Sequence, residues 1–226
     1  MVLIYKQQFK QINMKTTSRK FKNLGVLGLA FVAIFTFSFT AKKDKEKSKI
    51  QEQKVAPDFT IKDVNGEVIN LSNYKGKKVL LTFYRNVGCP VCNVRFHELQ
   101  EESDYFKSKN VVLISVYESS SENMKKYLEK EEIFYSKMIP NPEQNLYEIY
   151  NIDQSMKKVM KGMFHGAMKK MKKGKNLFKQ KIKQDGNSDR IVADFLIDEN
   201  GIVQKAYYGK FVGDHLSLEI IKNSIQ

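Results

Sequence analysis

The order of apolar segments along the chain predicts an α/β or mixed β-sheet covered by helices on both faces. Two short apolar runs, at 77–84 and 111–116, have the β-branched and aromatic content of buried strands. Apolar residues at helical spacing lie between them, and two further runs around Asn200-Gly201 predict a hairpin near the C-terminus. Strands that alternate with helices, followed by a hairpin and a helix, are typical of this fold class.

The folded domain is predicted to span 55–226. Asn-Gly pairs favour two-residue turns because such turns need positive φ, and proline is tolerated in the first turn of a helix, where its missing N–H costs nothing. In chain order we expect a hairpin over 59–71, a strand over 77–84, a helix with Pro90 in its first turn, a strand over 111–116, a serine-capped helix over 121–130, a short helix over 143–150, a hairpin over 193–208 and a last helix that Asp214 caps and that runs through Ile225.

The net charge of +14 comes from two blocks of the chain. Residues 1–54 carry 12 basic and 3 acidic side chains, and residues 157–183 carry 11 lysines and no acid. The rest has 16 basic and 22 acidic residues, which is an ordinary, mildly acidic globular surface. The overall charge therefore does not indicate a nucleic-acid partner, and none is expected.

The N-terminal block has the pattern of a membrane anchor. A basic segment, 1–23, precedes an uncharged run of 18 residues at 24–41, and a charged linker at 42–54 follows. Eighteen apolar residues just span a bilayer, so we expect an uncleaved anchor with the folded domain outside the cytoplasm. A cleaved signal peptide with secretion, a domain on the cytoplasmic face, and a buried core helix are the alternatives, and the true start is Met1 or Met14.

The second basic block lies within an insertion at about 153–186. Its methionines and phenylalanines alternate with lysines at spacings of three and four, so an amphipathic helix is predicted, with Gly162, Gly166 and Gly174 as weak points. Three roles are open for it: a helix laid over the core with its lysines in water, a contact with an anionic membrane surface, or a nucleic-acid contact.

The chemistry is expected at the only two cysteines, Cys89 and Cys92. They stand at a predicted strand-to-helix turn, where free N–H groups and the helix dipole stabilise a thiolate, and Arg85 and Arg95 add positive charge. We expect the pair to be reachable from solvent and close enough to form a disulfide. Two buried structural thiols are one alternative. A copper or zinc site is another, completed by a histidine from the set His97, His165 and His215.

Several segments resemble the peroxiredoxins and their relatives in the AhpC/TSA redoxin group. The matching residues are Ala56-Pro57-Asp58-Phe59, 71–77, Leu81-Thr82-Phe83-Tyr84, 193–201, Tyr208-Gly209 and Gly213-Asp214-His215, and the branch that carries C-x-x-C is the most similar. The resemblance covers roughly 55–226. It implies a thioredoxin-like fold and thiol-based redox activity with no metal or organic cofactor.

Two positions depart from the family pattern. Cys89 replaces the threonine that peroxiredoxins place before the peroxide-attacking cysteine, so Cys92 aligns with that cysteine, whereas the thioredoxin pattern makes Cys89 the attacking thiolate and Cys92 the resolving one. The thioredoxin cis-proline is absent, since its neighbourhood reads Arg190-Ile191-Val192-Ala193. By the resemblance, Arg190 is the candidate for the positive charge that peroxiredoxins direct at peroxide.

These observations predict an antioxidant thiol oxidoreductase. One thiolate of the Cys89/Cys92 pair attacks a peroxide or a disulfide, the other closes the bridge, and an external thiol reductant such as a thioredoxin-type protein restores it. Arg190 completes the predicted site. The alternative is a membrane-tethered copper-handling module that uses the same two thiols.

Overall fold

A computed structural model describes residues 48–128, 135–177 and 183–226. The predicted basic segment 1–23, the predicted anchor 24–41 and the first part of the predicted linker lie outside these residues. Part of the remaining linker is bound to the domain, since Gln53 N–H donates to Val203 O at 2.8 Å and Val203 N–H donates to Lys54 O at 2.9 Å. The folded unit therefore begins before Val55.

The elements that the sequence predicts occur in the predicted order, and the structure adds a strand at Lys137–Pro140 and a short helix at Ser103–Ser108. The strands are β1 (Thr60–Lys62), β2 (Val68–Asn70), β3 (Lys78–Phe83), β4 (Val111–Tyr117), β5 (Lys137–Pro140), β6 (Ala193–Ile197) and β7 (Val203–Tyr208). The helices are α1 (Pro90–Glu101), α2 (Ser103–Ser108), α3 (Ser121–Leu128), α4 (Asn145–Ile149), α5 (Met156–Phe164), α6 (Ala167–Leu177) and α7 (Leu218–Ser224), with a 3-10 turn at Leu71–Tyr74.

The central sheet has five strands in the order β5-β4-β3-β6-β7. Strand β3 pairs parallel to β4 and antiparallel to β6, so the sheet is mixed, as predicted. Strands β1 and β2 form the separate predicted hairpin, with Gly66 at φ +87° in its turn. The second predicted hairpin joins β6 and β7, with Gly201 at φ +80°. Both glycines occupy the left-handed region that these turns require.

Helices cover both faces of the sheet, which confirms the predicted class. Alternate residues of β3 point to opposite faces. Leu81 and Phe83 pack with Tyr147 of α4 on one face. Leu80 packs on the other face against Leu99 of α1. The packing of Leu80 with Leu99 holds α1 against one face of the sheet, and α1 begins beyond the end of β3, which is where the cysteines lie.

The C-terminal helix does not start where the sequence predicts. Ser217, not Asp214, caps α7, because the Ser217 side chain accepts from Ile220 N–H. Asp214 instead accepts from Tyr207 Oη at 2.9 Å and from Lys210 N–H at 2.8 Å. Its carboxylate thus closes the loop after β7, and the prediction of its capping role was wrong.

The insertion forms two helices, α5 and α6, that separate at Gly166, whose φ is +81°. Helix α6 packs along α1. The buried positions of the two helices are small, namely Gly162, Ala167 and Gly174, and the large apolar side chains Met160 and Phe164 are exposed. Among the helices of the described ranges, none is both long enough and apolar enough to cross a membrane.

Candidate active site

The two cysteines lie where the central strand β3 passes into helix α1. Cys89 is the N-cap residue of α1, with an extended backbone at φ −81° and ψ 109°, and Pro90 opens the helix as predicted. Cys89 O accepts from Asn93 N–H at 3.0 Å, and the Asn93 side chain donates to Val87 O at 2.9 Å. The turn and the first helical turn are therefore fixed to each other, and both thiols sit at the positive end of the helix dipole.

The thiols contact each other directly. Cys92 Sγ donates to Cys89 Sγ at a distance of 2.8 Å, and both cysteines are in the free thiol form. The predicted proximity of the pair is confirmed. A disulfide needs the two sulfurs to approach to about 2.05 Å, and residues three apart at a helix start reach that distance with a small side-chain movement.

Their surroundings give the two thiols different acidities. The hydrogen bond from the Cys92 thiol has the largest effect on the pKa of Cys89, and this effect outweighs that of burial. Together with the Arg85 charge and the backbone N–H groups of Cys92 and Val91, the hydrogen bond lowers the pKa of Cys89 to about 6. Burial and the Cys89 sulfur raise the pKa of Cys92 well above its ordinary value. At neutral pH the structure therefore favours a thiolate on Cys89 and a protonated Cys92.

Arg85 is a cation that acts on this pair. Its charge contributes a lowering effect to the pKa of both cysteines, although for Cys92 the other causes outweigh this effect. Its Nη2 donates to Gln184 at 3.4 Å. Its buried Nε has no hydrogen-bond partner among the residues that the structure describes. Arg95, the other predicted flanking cation, donates instead to Leu216 O at 2.8 Å.

The predicted exposure of the pair was wrong. Cys89 is 2% exposed and Cys92 is 0% exposed. Met171 of α6 packs against the apolar cluster that contains both cysteines. Gly174 of α6 lies so close to α1 that a Cβ on it would stand 1.9 Å from Pro90 O. The inserted helix therefore covers the start of α1, and the thiols are closed off in this conformation.

The segment that follows α6 is bound to the loop after β4. Asp185 accepts from Ser119 Oγ at 2.6 Å and from Ser120 N–H at 3.0 Å. Asn123 Nδ2 donates to Lys183 O at 2.7 Å. Because Ser119 Oγ also accepts from Val87 N–H at 3.0 Å, this segment is connected to the cysteine turn itself.

Arg190 is part of a buried ion pair. Its Nε donates to Glu118, its Nη1 donates to Ile152 O at 2.7 Å, and its Nη2 donates to Gln144 Oε1 at 2.8 Å. The guanidinium also stacks on Tyr147, 4.7 Å from the ring centroid. Every nitrogen of Arg190 therefore already has a partner, and its role toward peroxide stays a prediction.

The three histidines have partners other than the sulfurs. His97 faces Glu101 at 3.4 Å, His165 stacks on Phe211 with centroids 4.6 Å apart, and His215 Nδ1 lies 3.0 Å from Asp194. Within the described ranges, no group of three or more His, Cys, Asp or Glu side chains is arranged to hold a metal ion.

Buried aromatic rings that were not among the predicted site residues surround the thiols. Tyr84 and Tyr117 stack at 4.7 Å between centroids, and both belong to the cluster that contains the cysteines. His215 lies against Tyr84 at 5.5 Å. The position of Tyr84 directly after strand β3, five residues before Cys89, is the only signal in the sequence that could have indicated this.

The chain is similar to peroxiredoxins and to a thiol-disulfide oxidoreductase. It is 31% identical over 77 residues to peroxiredoxin Bcp of Escherichia coli (strain K12), covering 34% of this chain and 49% of that protein. It is 32% identical over 103 residues to the thiol-disulfide oxidoreductase ResA of Bacillus subtilis (strain 168), covering 46% of this chain and 56% of that protein. The matches thus span about half the length of these relatives. None of these names supports the copper-module alternative.

A solved structure agrees on the fold. The reduced 2-Cys peroxiredoxin of Plasmodium vivax superposes with a TM-score of 0.54 at 20% identity, over 78% of this chain and 80% of that one. This likeness confirms the thioredoxin-like fold that the resemblance implied. The AhpC/TSA family model matches residues 53–206, which is more than half of the chain. Together with the paired cysteines at the start of α1, this match shows that the chain belongs to the AhpC/TSA family.

Proposed function

We propose that this protein is a thiol-dependent oxidoreductase that cycles Cys89 and Cys92 between a dithiol and a disulfide. The observation that carries the proposal is the 2.8 Å contact between the two sulfurs, together with a pKa of about 6 for Cys89. Such a thiol is ionised at neutral pH and has a partner within reach to form a disulfide. Membership of the AhpC/TSA family supports the same chemistry.

Cys89 is the attacking group in this proposal. With a disulfide substrate, the Cys89 thiolate attacks one sulfur and releases a thiolate; Cys92 then loses its proton, attacks Cys89 and releases the second thiol. With a peroxide, Cys89 attacks one oxygen and releases an alkoxide or hydroxide, and the sulfenic acid condenses with Cys92 to give water and the disulfide. Either route oxidises the dithiol by two electrons, so an external thiol such as a thioredoxin-type protein must reduce it again.

Substrate access requires a change in the covering helix. Since Cys89 is 2% exposed, α6 must move away from α1 before a peroxide or a disulfide reaches the sulfur. A small peroxide needs a smaller opening than a protein disulfide does, so the width of the opening selects between the two substrate classes.

The protein is proposed to work at a membrane. Residues 24–41 form an uncharged run of 18 residues with basic residues before it and a charged stretch after it, which supports a tether. The proposed arrangement holds the redox domain outside the cytoplasm. Cell fractionation, followed by protease treatment of intact cells, tests this: a membrane-bound protein that is cut from outside supports it, and a protected or unbound one contradicts it.

The redox proposal is tested by titration of the reduced protein with hydrogen peroxide and, separately, with a small model disulfide. After each addition the remaining thiols are alkylated and the masses are measured. We expect the loss of both thiols together as a Cys89–Cys92 disulfide. Cys89→Ser should abolish turnover, and Cys92→Ser should trap a mixed disulfide or a sulfenic acid on Cys89. The opposite pattern would assign the attack to Cys92, and the absence of any disulfide in the wild type would contradict the proposal.

A further inference from the structure

The inserted helices expose an apolar strip. Phe164 is 87% exposed, and Met160 and Met163 are 57% and 58% exposed. Met156, at the start of α5, and Met168, in the first turn of α6, are also half exposed. Residues 156, 160, 163 and 164 share one face of α5 because they recur at spacings of three and four. Large apolar side chains that are exposed on one face of a helix mark a surface for binding a protein, a membrane or a ligand.

The opposite side of α5 is the side that packs on the domain. Gly162 is buried, and a Cβ on it would lie 2.4 Å from Val212 Cγ1. Glycine there lets the helix approach the loop after β7 closely. Because the packing face of α5 is occupied in this way, its apolar strip faces away from the core. The strip is therefore a separate exposed surface.

A cluster of lysines lies beside the strip. Five of them line one shallow depression with Tyr208 and Gly209: Lys49, Lys157, Lys158, Lys161 and Lys210. Asp153 compensates part of this charge, since it pairs with Lys158 and lies 3.9 Å from Lys49. Lys158 Nζ also donates to Gly209 O at 3.3 Å. The depression therefore keeps a strong excess of positive charge at the edge of the apolar strip.

The combination of these two features identifies the chemistry of the partner. An excess of lysines over acids selects an anionic surface, and each lysine close to such a surface improves binding about fivefold. Methionine and phenylalanine side chains enter the boundary between headgroups and acyl chains. Nucleic acid fits less well, because residues 157–183 contain no arginine and the strip offers one aromatic ring among four methionines.

We propose that α5 and the start of α6 form a peripheral membrane-binding surface for anionic lipids. Met156, Met160, Met163, Phe164 and Met168 enter the headgroup region, and the lysine depression contacts lipid phosphates. This surface is distinct from the cysteine site and from the predicted anchor at 24–41. Its occupation would hold the domain against the bilayer in one orientation.

The absence of tryptophan from the chain makes a direct test available. In the full chain, Phe164→Trp introduces a single fluorescent reporter in the strip. Ile220→Trp is the matched control, because Ile220 is 45% exposed on α7 and both variants keep the same N-terminal segment. Each variant is mixed with vesicles of phosphatidylglycerol and phosphatidylcholine, and with vesicles of phosphatidylcholine alone, each carrying brominated acyl chains that quench tryptophan on contact.

We expect the Phe164→Trp emission to shift to the blue and to be quenched by the anionic vesicles, with little change in the Ile220→Trp control. Replacement of Lys157, Lys161 and Lys210 by glutamine should weaken this contact roughly 100-fold, as measured by the lipid concentration needed for half-maximal quenching. Lys158 is left in place because it pairs with Asp153. Circular dichroism confirms that every variant is folded.

Four results would overturn the proposal. Equal quenching of the two tryptophans would mean that only the N-terminal segment contacts lipid. Equal quenching by neutral vesicles would remove the role of the lysines. A shift that grows with protein concentration in the absence of lipid would make the strip a contact between copies of the chain, and a shift on addition of duplex DNA but not vesicles would make it a nucleic-acid site. The measurement does not use the cysteines, so failure of the redox proposal leaves it unaffected.

Discussion

Replacement of Gly174 by alanine tests whether α6 controls access to the thiols. The added Cβ would stand 1.9 Å from Pro90 O and 2.6 Å from Pro90 C. An ordinary C···O contact is about 3.3 Å or longer, so helix α6 or the start of α1 must shift by roughly 1.4 Å. Both atoms belong to the backbone of α1, and no side-chain rotation relieves the clash.

The size of the effect follows from the cost of overpacking. Such insertions cost about 1–3 kcal/mol, and here the cost falls on the closed arrangement alone, because the clash disappears once α6 leaves α1. Since 1.4 kcal/mol corresponds to a factor of ten, the open arrangement should gain roughly 5- to 150-fold in relative population. Alanine also stabilises the α6 helix itself by about 1 kcal/mol, which keeps α6 helical in the open form.

The assay is the alkylation rate of Cys89 in the Cys92→Ser background, where it is the only cysteine. The rate is measured at a pH well above the pKa of Cys89 in this background, where the thiolate is fully formed, so the rate reports access. Asn176→Ala is the matched control because Asn176 is an exposed residue of the same helix. Met171→Ala, which removes the side chain packed on the cysteine cluster, should also accelerate alkylation and carries the test if Gly174→Ala fails to fold. Folded Gly174→Ala and Met171→Ala proteins that react at the control rate would refute the reasoning.

Two further predictions concern the groups that set the pKa of Cys89. Cys92→Ala should raise the pKa of Cys89 above about 6, because Cys89 loses the thiol donor of Cys92. Cys92→Ser keeps a donor and should raise this pKa less. The pH dependence of thiolate absorbance measures the pKa in both variants. The thiolate then forms at higher pH, and a pKa that stays near 6 in Cys92→Ala would contradict the assigned cause. Arg85→Gln should raise the pKa of Cys89, whereas Arg190→Gln should leave this pKa unchanged. Arg190→Gln should instead lower the free energy of unfolding by about 3–5 kcal/mol, because Glu118 would stay buried without its cation. Denaturant titration measures that loss, and a pKa shift in Arg190→Gln as large as in Arg85→Gln would place Arg190 at the site after all.

The elements that the sequence predicted well have strong local signals. Strand β3 is a continuous apolar run, the two hairpins have Asn-Gly turns, and α1 has proline in its first turn. The position of the cysteine pair follows from these signals alone, because a strand that ends at residue 83 and a helix that begins at residue 90 leave little freedom between them. For the last helix the prediction took Asp214 as the cap, whereas the structure uses Ser217, because both residue types accept a hydrogen bond from the first turn of a helix.

The burial of the thiols could not be predicted, because the face that closes the site offers one large apolar residue, Met171, as its hydrophobic signal. Hydrophobic periodicity assigns the large apolar residues of a helix to its packed side. In the insertion the buried positions are Gly162, Ala167 and Gly174, and of the methionines only Met171 packs inward, whereas Met156, Met160, Met163 and Met168 are exposed. Small residues favour packing of a different kind, in which two backbones approach closely and the absence of a side chain makes the contact possible.

This reversed pattern gives the insertion two separate surfaces. Gly174 and Met171 of α6 close the cysteine pair, and the apolar strip on α5 stays free beside the lysines. If methionines had formed the packed face of both helices, the insertion would have covered the site and left nothing for a membrane to bind. Because glycine forms part of the contact with α1, this position adds no side-chain apolar area to the closed state, and we expect α6 to be able to open. The same choice of residues therefore explains how a buried thiol pair can still meet a substrate and why the outer surface is apolar.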